Sequence, residues 1–389
     1  MTRRPPDTDR HRLATIAVHA GPEPDPLAGA VMPPIYQTST YIQEALGQPH
    51  NGYEYARTRN PTREALERAL AALEGGQHGF AFSSGLAALD VVLKLLAPGD
   101  QVIVGANLYG GSHRLMEQVF RPFGIDFRFV DLRDPARLEA ALTPATRMVY
   151  AETPTNPMMF LTDLAAIGTV SAAHKLLFVV DNTFATPVLQ RPLEHHADIV
   201  LHSTTKYING HSDMIGGALI VDRDDLAERI GFLQNAAGAV PGPFDCWLAL
   251  RGIKTLPLRM KAHNTGAERI AAWLDARNDI PRVYYPGLAS HPQHELARRQ
   301  MHGFGGMVSV EIGDVDRARR IVEGVKLFAL AESLGGVESL IGHPASMTHA
   351  SVPKAMRDEM GLTDSLIRLS IGIEDPDDLI ADLAQAMDR

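Results

Sequence analysis

The alternation of short apolar runs with helical patterns restricts the fold of this chain more than any other feature of its sequence. Runs that are apolar and often β-branched predict strands at residues 80–82, 102–104, 127–130, 148–152, 176–181 and 199–201. Helical patterns lie between them, for example over residues 162–174. This order is typical of an α/β fold with a mostly parallel sheet that has helices on both faces. In such folds, ligands bind beyond the carboxyl ends of the strands.

The sequence predicts three regions. Residues 1–58 carry many prolines and no clear element, but several tyrosines argue against disorder, so we interpret them as an arm that reaches a neighbouring subunit. A helix is predicted to begin at Asn60 and Pro61 and to end at two consecutive glycines. Residues 59–256 are predicted to form a large ligand-binding domain, and residues 257–389 a smaller C-terminal α+β domain.

Composition excludes several classes of function. With 37 Lys and Arg against 46 Asp and Glu, the 389-residue chain has a net charge of −9 and no basic stripe, so it does not suit nucleic acid. Its single cysteine, Cys246, excludes an internal disulfide and a multi-cysteine zinc site. The histidines show no compact zinc spacing, and we expect no metal. Neither a membrane span nor a secretory signal is evident, so we expect a cytoplasmic protein.

Two of the predicted strands end in polar residues of complementary chemistry. Asp181 directly follows one apolar run, and Ser203, Thr205 and Lys206 follow the next. A lysine amine at the end of an apolar strand suits Schiff-base chemistry, and pyridoxal phosphate needs such a lysine together with a carboxylate at its pyridine nitrogen. The alternative is a surface lysine and a helix-capping aspartate.

Three further positions suit a flat, phosphorylated cofactor. Gly85, in the predicted strand-to-helix turn SSGLAA, allows close approach of an anion to free backbone amides, although small residues there also simply permit tight packing. Tyr109 follows a strand and is able to stack on a flat ring, and Asn156 is able to donate a hydrogen bond. Alone, each is equally typical of a half-buried tyrosine and a turn asparagine.

Nine segments carry a family resemblance. They occur in the order EYARTRNPTR, SSGLAAL, LYGGSHR, ETPTNP, VVDNTF, HSTTKYINGHSD, AESLGGVESL, MTHAS and LIRLSIGIED. Together they resemble the cysteine and methionine metabolism (trans-sulfuration) family of pyridoxal-phosphate enzymes, which includes cystathionine γ-lyases, γ-synthases and β-lyases and methionine γ-lyases. The resemblance covers nearly the whole chain. It implies an aspartate-aminotransferase-like fold (fold type I) and a homotetramer built from two tight dimers.

The resemblance also implies roles for individual residues. Lys206 matches the Schiff-base lysine, Asp181 the partner of the pyridine nitrogen, and Tyr109 the stacking residue that also transfers protons. The implied phosphate ligands are the amides of Gly85 and Leu86, the hydroxyls of Ser203 and Thr205, and the pair Tyr55 and Arg57, which reaches the phosphate of a neighbouring subunit. Arg368 matches the clamp on the α-carboxylate of an amino-acid substrate, assisted by Asn156 and Ser333.

Two charged residues help to choose the reaction. Glu332 resembles the glutamate of γ-lyases and γ-synthases, and Arg114 adds a second cation; together they suit the distal charges of cystathionine, unless both are ordinary surface ion pairs. We therefore expect γ-elimination of L-cystathionine. The alternative is γ-replacement of an O-acylhomoserine by cysteine. A methionine γ-lyase is disfavoured because that group has cysteine where this chain has Gly111, and intact Lys206 argues against a silent binding protein.

The chain departs from the family pattern at two positions. Arg59 stands where the family usually has glycine, and Ser112 replaces the usual threonine. Neither departure affects the residues implied to hold the cofactor.

Overall fold

The computed structural model describes residues 10–350 and 352–388. Its larger sheet has seven strands in the order β3-β9-β8-β7-β6-β4-β5, a second sheet has the order β10-β11-β14-β13-β12, and β1 pairs with β2. The strands are β1 (Gln43–Ala45), β2 (Gln48–Pro49), β3 (His78–Phe82), β4 (Gln101–Gly105), β5 (Asp126–Val130), β6 (Thr146–Glu152), β7 (Leu177–Asp181), β8 (Ile199–His202), β9 (Gly217–Val221), β10 (Arg282–Tyr284), β11 (Met307–Glu311), β12 (Ala329–Leu330), β13 (Leu340–Gly342) and β14 (Leu366–Ser370).

Helices alternate with these strands along the chain. They are α1 (Leu13–His19), α2 (Pro61–Glu74), α3 (Gly85–Leu93), α4 (Gly110–Arg114), α5 (Pro135–Ala141), α6 (Leu164–Ala173), α7 (Thr186–Leu189), α8 (Asp224–Ala237), α9 (Pro243–Ile253), α10 (Leu256–Asp275), α11 (His294–Gln300), α12 (Val315–Gly324), α13 (Lys354–Met360) and α14 (Pro376–Met387). Short 3₁₀ turns occupy His50–Gly52, Arg121–Phe123 and Pro192–His195, and a π-helical segment, Leu115–Phe120, continues α4. No helix within the described ranges combines the length and the hydropathy needed to cross a bilayer.

The chain divides into two compact units. The first, unit 1, holds the chain up to Leu96 together with residues 198–257, and unit 2 holds residues 97–197 together with the chain from Leu258 onward. In unit 1, β9 pairs antiparallel with both β3 and β8. Helix α2 packs against β3 and α9 and begins at Asn60, whose side chain accepts hydrogen bonds from the first-turn amides. Cys246 is buried in α9, and this burial raises the pKa of its thiol.

Unit 2 contains two layers of strands with separate cores. Strands β4, β5, β6 and β7 pair in parallel, and buried side chains such as Ile103, Val149 and Phe178 pack beneath α5 and α6. The C-terminal sheet packs its apolar face against α10, α12 and α14 around Ile321, Leu369 and other buried residues. Both cores are almost wholly apolar, so the polar residues at the strand ends are the exceptions that need an explanation.

Most predicted elements are confirmed, with ends displaced by one or two residues. The α/β fold with a mostly parallel sheet is confirmed, as are the six predicted strands and the helix after Asn60. The arm differs from the prediction: it contains α1, whose Ile16 and Ala17 are buried against α2, and the short β1–β2 pair. A seven-residue helix is too short to give a clear periodic signal. Residues 1–9 of the arm, and Ser351 of the MTHAS segment, lie outside the described residues. The predicted domain boundaries stay predictions.

Candidate active site

The turn between β3 and α3 in unit 1 provides free backbone amides. Ser84 caps α3, and its Oγ accepts from the amide of Ala87 at 3.0 Å. The amides at the start of a helix have no acceptor inside the helix, so Gly85 and Leu86 present donors here. A Cβ at Gly85 would lie 3.1 Å from the Cβ of Ser203, so the absence of a side chain lets the turn lie directly against the end of β8. The structure therefore brings the predicted Gly85 and Ser203 together.

The turn after β8 carries Lys206. The backbone amide of Lys206 donates to the carbonyl of Ser203 at 3.2 Å, which closes the turn, and the Lys206 side chain is half-buried. The Oγ1 of Thr205 accepts from the amide of Gly216 at 3.0 Å and also lies 3.2 Å from the Gly216 carbonyl oxygen. If an anion replaced that carbonyl as acceptor, the hydroxyl would donate to the anion and still accept from the amide.

A buried pair fixes the base of this turn. Nε2 of His202, the last residue of β8, lies 2.5 Å from Oε1 of Glu74, the last residue of α2, and both side chains are about 1% exposed. The pair ties the end of β8 to the end of α2 directly before Ser203. His202 is thus buried beneath the turn, directly before Ser203.

Tyr55 and Arg57 lie together on the arm. The Arg57 guanidinium carbon is 5.3 Å from the centre of the Tyr55 ring, and its Nε donates to Oδ1 of Asn235 at 3.4 Å. Both side chains are exposed. The described chain thus presents them as an adjacent aromatic and cationic pair, and their implied contact with a neighbouring subunit stays a prediction.

In unit 2, two carboxyl groups end neighbouring strands. Glu152 and Asp181 are register partners at the ends of β6 and β7. The hydroxyl of buried Tyr150 donates to Oδ2 of Asp181 at 3.2 Å, and the amide of Thr183 donates to its Oδ1 at 3.0 Å. Burial, followed by the charge of Asp181, raises the pKa of Glu152 well above its usual range. A positive charge on a bound ligand would relieve this crowding of acidic groups.

Glu152 also fixes the loop that carries Tyr109. Its Oε2 accepts from the Tyr109 amide at 2.9 Å. The ring of Tyr109 is 40% exposed and folds over Gly111, where a Cβ would lie 2.4 Å from the ring carbon Cε1. The ring therefore rests where only glycine leaves room for it, with one face available to solvent.

Arg368 forms the centre of a cationic clamp on β14. Its side chain is buried, its Nη1 donates to Oδ1 of Asn156 at 2.9 Å, and its Nη2 donates to the carbonyl of Ser333 at 2.8 Å. Ser333 has a φ of 91°, a left-handed conformation that is uncommon for a residue other than glycine. The structure thus brings together the three residues predicted to bind a substrate carboxylate.

A buried histidine supports this clamp. Nε2 of His349 lies 3.2 Å from the carbonyl oxygen of Asn156, and its Nδ1 lies 2.9 Å from the hydroxyl of Thr348. Both contacts suit a neutral ring that donates from Nε2 and accepts at Nδ1. Burial, followed by the charge of Arg368, lowers the pKa of His349 to about 4.

The two predicted specificity residues are not joined to the clamp. Arg114 and Glu332 are both exposed, and within residues 10–350 and 352–388 neither side chain makes a hydrogen bond or an ion pair. Glu332 nevertheless directly precedes Ser333, whose carbonyl bonds to Arg368. The charged groups of Arg114 and Glu332 therefore remain available to a ligand.

Sequence reasoning missed the supporting residues Tyr150, Glu152 and His349. Tyr150 and Glu152 are two residues apart on one strand, so both side chains lie on the same face of the run VYAE. This polar pair in an apolar run was a sequence signal for a functional site. Nothing in the sequence around His349 indicates that the ring is buried beside Asn156, because the two are 193 residues apart.

Known proteins match this chain over nearly its whole length. A family model described as Cys/Met metabolism PLP-dependent enzyme matches residues 14–388. A protein of Coxiella burnetii named cystathionine beta-lyase is 53% identical over 97% of this chain and 98% of its own. One of Mycobacterium leprae named cystathionine gamma-synthase is 51% identical over 96% of each. The crystal structure of cystathionine gamma-lyase from Lactobacillus plantarum, complexed with L-serine, matches with a TM-score of 0.95 and 47% identity, over 97% of this chain and 99% of that one.

Proposed function

Because this chain belongs to the Cys/Met metabolism family of pyridoxal-phosphate-dependent enzymes, we propose that it catalyses γ-elimination of L-cystathionine. The reaction breaks the Cγ–S bond and consumes one water. The products are L-cysteine, 2-oxobutanoate and ammonia.

The observation that favours cystathionine over methionine as the substrate is that Glu332 directly precedes Ser333, a partner of Arg368 in the clamp. Arg368 is buried, with Asn156 and Ser333 as its partners, and it suits the α-carboxylate at the reacting end of an amino acid. Glu332 directly precedes Ser333 in the chain. Its side chain is exposed and has no partner among the described residues. The Glu332 carboxylate, next to the clamp in the chain, suits a substrate that carries a second amino group. Cystathionine has this distal charge, whereas methionine lacks it.

The described residues are compatible with bound pyridoxal phosphate. A helix start whose glycine lies against Ser203 suits a phosphate, and the acidic pair Glu152 and Asp181 suits a protonated pyridine nitrogen. We propose that Lys206 attaches the cofactor, Asp181 pairs with its ring nitrogen and Tyr109 stacks on the ring. The proposed phosphate ligands are Gly85, Leu86, Ser203, Thr205, Tyr55 and Arg57.

The residues of this chain would then divide the chemical work. When bound, pyridoxal phosphate supplies an electron sink for the amino acid joined to it. Arg368 and Asn156 orient the α-carboxylate. The Nζ of Lys206 would take the proton from Cα, pass it on to the cofactor and then take one from Cβ, and the hydroxyl of Tyr109 would support delivery of a proton to the departing sulfur. Glu332 and Arg114 bind the distal amino and carboxylate groups.

Two other reactions have support from relatives. Relatives named cystathionine gamma-synthase favour γ-replacement, in which cysteine displaces the acyl group of an O-succinyl- or O-acetylhomoserine. Relatives named cystathionine beta-lyase favour cleavage of the Cβ–S bond, which yields homocysteine, pyruvate and ammonia. The three reactions would share the clamp and the cofactor, and they differ in which bond breaks and in whether water or the cysteine thiol reacts with what remains of the substrate.

Product analysis of the purified enzyme separates these reactions. With cystathionine alone, 2-oxobutanoate and cysteine are expected, and pyruvate with homocysteine would instead establish β-elimination. With an O-acylhomoserine and cysteine, accumulation of cystathionine at a rate above that of its cleavage would establish the synthase. A Glu332→Gln variant is expected to raise KM for cystathionine about 10-fold, the loss of one charged contact, and to leave the cofactor spectrum unchanged. An unchanged KM would remove Glu332 from the substrate site.

We also propose that the enzyme is a cytoplasmic homotetramer. The arm exposes Leu27, Ile42 and Leu46, which are 95%, 88% and 101% exposed in the single chain. Apolar side chains that project this far suit burial against another subunit. Sedimentation of the purified protein as a monomer would contradict the assembly.

A further inference from the structure

A buried arginine supports the arm loop that carries Tyr55 and Arg57. Arg63, in the first turn of α2, is 2% exposed. Its Nη1 donates to the carbonyl of Ala56 at 2.8 Å, and its Nη2 donates to the carbonyls of Arg57 and Thr58 at 3.2 and 2.7 Å. One guanidinium therefore binds three consecutive carbonyls, the middle one belonging to Arg57 itself.

The same arginine is joined to the strand that leads into the β3–α3 turn. Its Nε lies 3.4 Å from Oε1 of Glu67, one turn further along α2. That oxygen accepts from the amide of Ala81 in β3 at 2.9 Å and from Nε2 of Gln234 at 3.0 Å. Gln234 also donates to the carbonyl of Ala81 at 2.8 Å. Two residues after Ala81 comes Ser83, the first residue of the SSGLAA turn.

Helix α8 completes the arrangement. Gln234 binds Glu67, and the next residue, Asn235, accepts from Nε of Arg57 and from the hydroxyl of Thr58 at 3.4 and 3.3 Å. The backbone of the 56–58 loop is thus held by Arg63, while its side chains are held by α8. With its three carbonyls bound by one buried guanidinium and two of its side chains bound to Asn235, the loop is held in position before any ligand arrives.

We propose that Arg63 is a positioning residue for cofactor binding, which acts by holding the 56–58 loop so that Arg57 meets a cofactor phosphate. This inference rests on the phosphate-binding role proposed for Arg57. Arg63 is buried beneath the loop and does not itself face the ligand. A guanidinium suits the task because its fixed, planar set of donors spans several carbonyls, which a lysine amine does not.

The decisive experiment measures the affinity of each variant for pyridoxal phosphate. The Arg63→Lys variant keeps the charge next to Glu67 but replaces two donor nitrogens with one. We expect its dissociation constant for pyridoxal phosphate to rise about 10-fold, the effect of losing one charged hydrogen bond, and that for pyridoxal, which lacks the phosphate, to stay within about 2-fold. Equal losses for both compounds would mean a general structural role and would overturn the proposal.

Arg68→Lys is the matched control. Arg68 is also on α2, and its guanidinium donates to the carbonyl of Gly21 elsewhere on the arm. This variant is expected to bind pyridoxal phosphate normally. An affinity loss equal to that of Arg63→Lys would overturn the proposal, because it would show that any weakening of the contact between α2 and the arm has the same effect.

A double-mutant cycle tests whether Arg63 acts through Arg57. In an Arg57→Ala background, Arg63→Lys is expected to cause no further loss of affinity, since the residue that it positions is absent. Additive losses would overturn the inference while leaving the proposed role of Arg57 intact. If Arg57→Ala alone leaves the affinity unchanged, the role of Arg57 is wrong and the inference falls with it. A borohydride-reduced adduct found at Lys206 by mass spectrometry would still support the proposed function.

Discussion

The two units hold their functional loops with opposite chemistry. In unit 1, buried Arg63 donates to the carbonyls of three consecutive arm residues. In unit 2, buried Glu152 accepts from the amide of Tyr109. Burial and the charge of Asp181 raise the pKa of Glu152 well above its usual range, which favours a neutral acid. Each unit thus holds a functional loop with one buried side chain, Arg63 or Glu152. We expect the loss of stability on replacing that side chain to differ between the two units.

Buried histidines differ in the same way. In unit 1, His202 is paired with Glu74. In unit 2, burial lowers the pKa values of His263, His291 and His349 to about 4 each. Because protonation of these rings is disfavoured in the folded protein, we expect unit 2 to be the more acid-sensitive of the two.

The largest expected effects on the kinetics come from replacing Lys206 in unit 1, which should lower kcat, and Arg368 in unit 2, which should raise KM. Lys206→Ala removes the proposed base, so kcat should fall roughly 10⁴-fold. Arg368→Lys loses the planar fork that binds a carboxylate, so KM should rise roughly 100-fold with kcat little changed. Steady-state kinetics with cystathionine check both. Near-normal turnover by Lys206→Ala would remove that residue from catalysis.

Neutral replacements of Arg63 and Glu152 should destabilise the protein to different extents. Arg63→Gln leaves carbonyls and Glu67 buried without their cation, and the free energy of unfolding should fall by about 3 kcal/mol. Glu152→Gln keeps a carbonyl oxygen for the Tyr109 amide and replaces a group already disposed to be neutral, so its cost should be below about 1 kcal/mol. Chemical denaturation with the cofactor at a fixed concentration measures both. Equal costs would mean that Glu152 is charged in the folded protein.

Acid should weaken unit 2 before unit 1. The unfolded chain binds protons on its histidines below about pH 6.5, whereas the three buried rings resist protonation until about pH 4. Stability is therefore lost as pH falls through this window, by up to about 3 kcal/mol per histidine.

The two tryptophans make this test possible, since Trp247 lies in unit 1 and Trp273 in unit 2. In single-tryptophan variants, the fluorescence of Trp273 should change at a higher pH than that of Trp247. A His349→Gln variant should make the acid transition of unit 2 less steep. Simultaneous transitions with an unchanged slope would contradict the assignment of acid sensitivity to these rings.

The smallest expected effect concerns the resting position of Tyr109. Gly111→Ala would place a methyl group 2.4 Å from the ring carbon Cε1, so the ring must move. The ring itself is 40% exposed and can adjust, so we expect kcat to fall only about 3-fold to 10-fold, within the range of a displaced acid–base group. Ala106→Ser, outside the contact with Tyr109, serves as a control and should leave kcat unchanged.

The sequence predicts the strands and helices of this protein better than the buried residues that hold its functional loops. Apolar periodicity and the Asn60–Pro61 cap locate α2, and the runs that end at Asp181 and before Ser203 locate two strand ends. Strand β9 was not predicted, because a fully buried run of five apolar residues does not alternate and resembles a helix segment. Arg63 was missed because an arginine in the first turn of a helix is usually exposed, and only the packed structure places it beneath the loop.

The burial of Cys246 has a practical consequence for the study of this enzyme. With one thiol in the whole chain, enclosed in α9 and disfavoured from ionising, thiol-reactive dyes and spin labels find no native target while the protein stays folded. A cysteine introduced at a chosen position that stays exposed would be the sole site of labelling. The natural sequence is therefore already suited to single-site fluorescence or spin-resonance measurements of how the arm behaves.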